Sequence, residues 1–375
     1  MEQTMRATLM SRDVEIARIE GRQLYPLREE LMPLYLRRTG NLEEWLAHRA
    51  IDRHRTHSRL LKKVLRLSEK DDASTALAMQ AATITDTYWV GPAGSDLTWD
   101  KVRFRENYFD TLALQGDLSA FSRPPSRTPE LTNIGSFEKC WRLEDGRWWM
   151  YKQCNENEMF SELFVYELCK ALGFPTAHYE KAGPFIRTLD FTAGKVNFEP
   201  AFSLVGDEED YVLNYRTFKA ISSAMADDYL QLLMMDAFCL NADRHTENYG
   251  VLRDIETGKI LSLAPNFDNN ISLLYDGYKP QQRMPDLLGR ELNDLERTEH
   301  ALSEYAAHRP LPMITPELIE ECCRRTEMKV DVPYVQQFVM AGYRQTLIPQ
   351  MLQEQAHSLE PCQGTTVGRT QNSAE

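Results

Sequence analysis

The sequence predicts an α+β fold in which a helical amino-terminal extension precedes a body of short strands and buried helices. Three observations carry that expectation. Apolar residues recur three and four positions apart through residues 1–75, the spacing of a helix with one buried face. "SRPPSRTPE", residues 122–130, concentrates prolines where a helix cannot continue, so a boundary and an extended linker are expected there. Beyond it, strand pairs with glycine turns alternate with apolar helical runs. Apolar residues make up 42% of the 375, enough for a substantial core.

In the extension, "REELMPLYLRRT" and "NLEEWLAHRAIDRHRTHSRLLKKVLRLS" have helical spacing. Asn41 with Glu44 three positions on fits a capping box. Residues 76–120 are mixed: "DTYWVGPAGSDLTWDKVRF" reads as a short strand, a Gly/Pro turn and a capped turn of helix. After the proline-rich stretch, "CWRLEDGRWWMYKQ" predicts two strands joined at Asp145–Gly146, a favoured hairpin turn. Trp148 and Trp149 then face opposite sides. "EMFSELFVYELCKALGF" predicts an amphipathic helix closed by Gly173. "GPFIRTLDF" reads as a strand and "DDYLQLLMMDAFCLNA" as a buried helix. "NYGVLRDIETGKILSLAPNFDNN" predicts a hairpin turning at Glu256–Gly258. Two further helices are expected over 315–328 and 332–356, and the polar stretch 357–375 is expected to be disordered.

Several function classes are disfavoured. A net charge of −13 argues against direct nucleic-acid binding. The basic stretch from Arg49 to Arg66 reads as a solvated helix face. No run approaches the ~20 apolar residues of a membrane span, and the amino terminus lacks the apolar core of a signal peptide. Seven cysteines without CxxC spacing read as reduced thiols in a cytoplasm. His54 and His57 lack a third partner for a metal site.

The chemistry concentrates in "CLNADRHTENYGV", residues 239–251, where Asp243, Arg244, His245 and Asn248 follow an apolar run. Folding the next hairpin about its turn returns Asp268 beside Asn248. Asp243 lies in the loop leaving the buried helix. Three oxygen-bearing groups converging at one rim suit a hard cation such as Mg²⁺, which keeps several waters and takes few protein ligands. Phosphoryl transfer needs this set: one carboxylate for the attacking hydroxyl, an Asn and a second Asp for the metal. It also needs a cation on the phosphates. Lys152 ends the strand "RWWMYK", and Glu162 follows ten residues later on the next helix, with Glu158 as the rival partner one turn earlier. "NIGSFEKCW" precedes the strand pair, where a loop covering phosphates belongs.

These segments resemble a HipA-type kinase, a bacterial branch of the protein-kinase-like fold; the order Asp-Arg-His with Asn following is also similar to phosphoinositide kinases. The resemblance rests on "NADRHTENYGV", "LAPNFDNNISLL" and "TNIGSFEK" and spans 126–350. It implies a two-lobed kinase-like fold, with an extension over 1–125 packing on a small lobe, 126–190, and a large lobe, 191–356. It implies an ATP-dependent phosphotransferase acting on a Ser or Thr hydroxyl of a protein, itself included, with ATP and Mg²⁺ as cofactors. By the same resemblance Asp243 is the catalytic carboxylate, His245 supports its loop, and Asn248 and Asp268 hold Mg²⁺. Lys152 takes the α/β-phosphates and Glu162 orients it. Gly135 and Ser136 belong to the phosphate loop, and adenine meets the main chain between Leu189 and Phe191. Thr132 and Ser136 are the hydroxyls open to self-phosphorylation, and an antitoxin-like protein is the implied partner. Two departures stand out: Gly135 is the only glycine of the loop, and Asn269 follows Asp268 where many kinases have Phe-Gly. The alternatives are a pseudokinase or nucleotide-binding scaffold of a toxin–antitoxin or phage-related system, and a lipid or small-molecule kinase. Residues 1–125 match no working module.

Overall fold

The computed structural model describes residues 6–359 apart from 68–69, 279–282 and 284. Much of the expected tail, 360–375, lies outside the described residues; 357–359 close the last helix.

The extension is not helical from its start. Residues 6–26 form an antiparallel meander, β1 (Arg6–Ser11), β2 (Val14–Glu20) and β3 (Gln23–Pro26). β4 (Tyr88–Pro92) joins its edge in the order β3-β2-β1-β4. The helical reading failed here because apolar spacing in a short window fits both periods. The turns decide it: Arg12 and Gly21 adopt positive φ between the strands, and only Gly21 announces this in the sequence. Short helices follow: α1 (Leu34–Thr39), α2 (Leu42–Ala47), α3 (Ser58–Val64), α4 (Asp72–Ala78), α5 (Trp99–Val102) and α6 (Asp110–Gln115). Asn41 caps α2 by accepting the Glu44 N–H at 3.2 Å.

Two cores anchor the extension. One face of the first sheet, with Leu9, Ile16 and Ile19, packs on Tyr35, Leu36, Trp45 and Leu46. Ile51, Leu61, Phe109 and Leu112 share a second core with Cys140, Trp149 and Tyr151 of the next sheet. The seam between extension and small sheet is therefore packed interior. The proline-rich stretch is coil over 123–128 but ends in a buried 3₁₀ turn, Pro129–Thr132, rather than a free linker.

The small sheet has the order β5-β6-β8-β7, from β5 (Lys139–Glu144), β6 (Arg147–Lys152), β7 (Tyr179–Ala182) and β8 (Phe185–Leu189). β5 and β6 turn at Asp145–Gly146, both with φ > 0 as the expected tight turn requires. α7 (Glu156–Leu172) follows, opened by an Asn155–Glu158 capping box and closed by Gly173 in the left-handed region.

The larger body is helical. α8 (Phe202–Val205) and α9 (Tyr211–Ile221) lead to α10 (Ser223–Cys239), almost wholly buried at its centre. α11 (Leu287–Glu299), α12 (Ala301–Ala306), α13 (Pro316–Arg325), α14 (Val332–Gln345) and α15 (Ile348–Leu359) complete it. The predicted hairpin is β10 (Gly250–Asp254) and β11 (Ile260–Leu263). A strand missed in the sequence, β9 (Val196–Pro200), pairs with β10.

The extension also reaches the large body through a buried polar clasp. Arg253, fully buried, pairs with Glu199 and donates to Tyr88 Oη at 2.9 Å and to the Met32 carbonyl at 2.9 Å. Glu199 also accepts the Leu34 N–H at 2.6 Å.

At the seam, Glu130 is fully buried and accepts from Trp141 N–H at 2.7 Å and Asn107 Nδ2 at 2.6 Å. Burial pushes its carboxyl up to about 7, against the pull of Arg55. The folded state thus holds a proton that the unfolded chain releases above 4.5, so this group's contribution to stability falls as pH rises from 4.5 to about 7. Urea unfolding near pH 5 and near pH 7 should show a smaller pH-dependent loss in Glu130→Gln than in wild type. Identical losses would mean that Glu130 is ionised throughout.

Candidate active site

The predicted residues lie on six segments: the 133–139 loop before β5, the end of β6, the middle of α7, the end of β8, and two stretches flanking the β10–β11 hairpin. Arg244 draws the last two together. Its side chain is 1% exposed and its guanidinium holds both oxygens of Asp236, each at 3.0 Å. It also donates to the carbonyls of Asn248 at 2.8 Å and Phe267 at 2.9 Å, and to Asn269 Oδ1 at 2.7 Å and Asn266 Oδ1 at 3.1 Å. Asp236 comes from α10, Asn248 lies two residues before the first strand, and 266–269 follow the second. One planar donor therefore fixes three chain segments, which answers why polar groups cluster after an apolar helix. α10 ends at Leu240 in the left-handed region, and the chain turns sharply into the 241–248 loop.

Within that loop, Asn248 Nδ2 donates to the Asp243 carbonyl at 2.8 Å, and the His245 N–H donates to the same carbonyl at 3.0 Å. The Asp243 carboxylate is exposed and has no protein partner among the described residues. His245 is half-buried, and its Nδ1 accepts the Glu247 N–H at 3.3 Å. The next residues connect outward: His48, which caps α2 in the extension, meets Glu247 at 3.1 Å. That contact raises the His48 imidazole above its ordinary value.

Asp268 sits opposite. It adopts φ 59°, a left-handed conformation that Asp tolerates better than most residues. Tyr179 Oη accepts its N–H at 3.0 Å, and both Glu162 oxygens accept the following N–H, of Asn269, at 3.0 Å. Lys152 reaches across from β6, donating to Asp268 Oδ1 at 2.5 Å and Asn270 Oδ1 at 2.6 Å. Burial alone would raise the Asp268 carboxyl, but the ammonium groups of Lys152 and Lys139 hold it at about 2. Burial raises Glu162, with Lys152 opposing.

Lys152, Glu162, Asn248 and Asp268 thus come together, with Asp243 on the adjoining loop. Glu162 fixes the backbone beside Asp268, and the hydrogen bonds of Lys152 go to Asp268 and Asn270. Glu158, the rival for Lys152, is engaged at the α7 cap on the Asn155 N–H at 2.9 Å. Gly135 lies at φ 103° against Lys139 Nζ, and Ser136 beside it is exposed. Thr132, by contrast, is 4% exposed and donates to the Ala82 carbonyl at 2.7 Å, so it is not an accessible hydroxyl. The Leu189 N–H bonds the His178 carbonyl at 3.0 Å and the Asp190 N–H the Trp148 carbonyl at 2.9 Å, so both of these donors are taken up within the protein. The Phe191 ring packs on Phe198 and Phe267, next to Asp268.

Sequence reasoning missed Lys139 and Asn270. Lys139 is lowered to about 8 by burial, with Asp268 pulling the other way. The signal for it was the lysine closing "GSFEK", which pattern alone does not separate from a surface charge. Asn270 sat inside a quoted segment but carried no spacing cue.

Among the described residues no group of three or more His, Cys, Asp or Glu is placed to hold a metal. Mg²⁺ bound beside substrate phosphates needs only one or two carboxylates, with water and phosphate oxygens completing the set. One ionised carboxylate, Asp268, and the amide oxygen of Asn248, which no described protein group occupies, fit that requirement.

No protein-family model matches the chain, and no curated protein matches it. Among solved structures, it is similar to HipA of Shewanella oneidensis MR-1, from a toxin–antitoxin complex with HipB and operator DNA, with a TM-score of 0.58 and 12% identity over 91% of this chain and 97% of that one. It is also similar to a Helicobacter pylori proinflammatory kinase, CtkA, with a TM-score of 0.42 and 15% identity over 59% of this chain and 95% of that one. The fold is HipA-like: α+β and two-lobed, with a small-sheet lobe, a helical lobe and the extension described above. No described helix is long and apolar enough to cross a membrane.

Removing one partner of a buried ion pair leaves the other uncompensated. Arg244→Met should destabilise the protein by about 3–5 kcal/mol in chemical denaturation, and adding Asp236→Leu should recover a large share. A loss below about 1 kcal/mol would show that Arg244 does not hold the three segments.

Proposed function

We propose, from the HipA-like fold and this site, that the chain is an ATP-dependent phosphotransferase acting on a Ser or Thr hydroxyl of a protein. The observation that carries the reading is the meeting of Lys152, from the small sheet, with Asp268 and Asn270 of the large body, beside Asn248. A lysine held against a carboxylate of low pKa, across a junction between two lobes, is the charge arrangement that a metal-bound triphosphate can enter.

In this reading Lys152 takes the α/β-phosphate oxygens, and Glu162 holds the 268–270 backbone in position to receive the metal. Asp268 and Asn248 are the Mg²⁺ ligands, and the ion supplies neutralisation of the phosphate charge. Asp243 orients the acceptor hydroxyl and takes its proton. The acceptor oxygen forms a bond to the γ-phosphorus while the bond to the bridging oxygen breaks, and ADP leaves with that electron pair. His245 supports the loop through the Glu247 N–H. The exposed carboxylate of Asp243 faces the side from which an acceptor can approach. A solvent-open cleft lined by His48, Ile134, Phe198, Phe202 and Glu247 lies on the extension side of the 241–248 loop, and Asp243 does not line it.

The HipA neighbour was solved with HipB, and an antitoxin-like protein is accordingly the partner we propose to test. A nucleotide-binding scaffold remains the competing reading. It predicts thermal stabilisation by ATP without phosphoryl transfer.

ATP turnover decides between them. Asp243→Asn and Asp268→Asn should each lose at least about a hundredfold in kcat; Asp243→Asn should unfold near the wild-type temperature, and Asp268→Asn, which leaves Lys152 without its carboxylate partner, should unfold lower. Wild-type-like turnover in both variants would reject the assignment. If the protein modifies its own loop, mass spectrometry after incubation with ATP and Mg²⁺ should find phosphate on Ser136 and none on Thr132. Phosphate on Thr132 would mean that the Pro129–Thr132 turn opens.

A further inference from the structure

The extension touches the 133–139 loop from beneath, and the contact has the form of a clamp. We propose that Arg55 and Glu138 brace this loop, so that the amino-terminal extension sets how tightly the loop holds nucleotide phosphates. The inference rests on the phosphate-loop reading above and gives the extension a task that its sequence did not disclose.

Arg55 precedes α3, and its side chain has no solvent exposure. Its two terminal nitrogens go to the two ends of the loop: Nη1 donates to the Asn133 carbonyl at 3.1 Å, and Nη2 donates to the Lys139 carbonyl. Nε faces the Glu138 carboxylate at 3.9 Å. The other Glu138 oxygen accepts the Thr56 N–H, so the loop grips the extension in return. A second tie runs from the Ile51 N–H to the Leu131 carbonyl at 2.8 Å. The base of the loop is thus pinned while Ile134 and Ser136 at its tip are exposed.

Only a planar guanidinium presents donors far enough apart, at a fixed angle, to span both carbonyls; a lysine ammonium is a single point. The consequence travels inward. Lys139, whose carbonyl Arg55 holds, lies with its Nζ against Gly135, where any Cβ would collide with it. Phe137, in the same loop, has its ring centroid 4.5 Å from Lys152 Nζ. Shifting the loop base therefore moves Phe137, which covers the Lys152 ammonium, and Lys139, which pairs with Lys152 across the two strands. The residues that supply the brace touch neither Asp243 nor Asp268, so Arg55 and Glu138 are positioning residues.

A role confined to stability and a role in positioning separate by experiment. Arg55→Lys keeps the charge and removes the fork. Glu138→Ala cuts the reciprocal tie from the loop side without emptying the buried guanidinium site, and it guards against a folding failure in the first variant. Hydrogen exchange on the nucleotide-free protein should be about tenfold faster across 133–139 in both variants, with α10 exchanging as in wild type. Calorimetric titration with ATP and Mg²⁺ should show a Kd raised about tenfold, equivalent to loss of one or two hydrogen bonds' worth of ordering. Loop exchange at the wild-type rate, or an unchanged Kd in a folded variant, would overturn the brace. A wild-type protein that binds no ATP would overturn the phosphate-loop reading, and the brace with it. That result is distinguishable, because it appears before any variant is made.

Discussion

The geometry of the site depends on one buried cation. Arg244 is held by both oxygens of Asp236, and it converts that fixed position into four further hydrogen bonds on two separate stretches of chain. A buried ion pair is a weak source of net stability, because desolvation offsets most of the attraction. What it provides here is register. A guanidinium has a rigid plane and five donors, so acceptors from α10, the 241–248 loop and the 266–269 stretch can satisfy it in only one mutual arrangement. The carbonyl of Asn248 and the carbonyl before Asp268 share one of its nitrogens, and that sharing is why two proposed metal ligands, far apart in sequence, become neighbours.

The small lobe is joined to that frame by apolar packing, with Phe160, Phe164 and Leu168 of α7 in one core with α10, and by charge at the site itself. Lys152 crosses to Asp268 and Asn270, and Glu162 crosses to the Asn269 N–H. Both are side chains of low exposure whose partners are polar, so their desolvation is compensated only while the lobes stay together. The extension adds two more ties: Tyr88, Met32 and Leu34 on the buried Arg253–Glu199 pair of the large lobe, and Arg55 under the 133–139 loop. The amino-terminal region is therefore built into both lobes, and its polar contacts reach the 133–139 loop and the strand that follows the 241–248 loop.

Much of this was legible beforehand, and the reasons differ by element. Asp145–Gly146 and Gly173 announce a turn and a helix end through backbone conformations that other residues resist. The meeting of Asn248 with Asp268 follows from hairpin arithmetic, whatever the tertiary packing. The meander over 6–26 was misread because its apolar spacing suits two periods and its turn at Arg12 lacks a glycine. Thr132 was offered as a free hydroxyl because nothing local reveals that the turn it ends is buried between two cores. Glu162 is expected to orient Lys152, but its carboxylate accepts a main-chain N–H, that of Asn269, a partner that no residue pattern encodes. Lys139 and Arg55 share that difficulty: each bears on the site through carbonyls or through the protein's field, and sequence records neither.

The central claim is that Lys152, Asp268 and Asn248 together form the seat of a metal-bound triphosphate. The most direct measurement is a crystal structure with Mg²⁺ and a non-hydrolysable ATP analogue. The account predicts Lys152 Nζ released from Asp268 onto a phosphate oxygen, with Asp268 and Asn248 oxygens on the ion and the Asp236–Arg244 pair unmoved. A nucleotide bound elsewhere, or a Lys152 that keeps its contact with Asp268 while the phosphates lie outside the lobe junction, would contradict it.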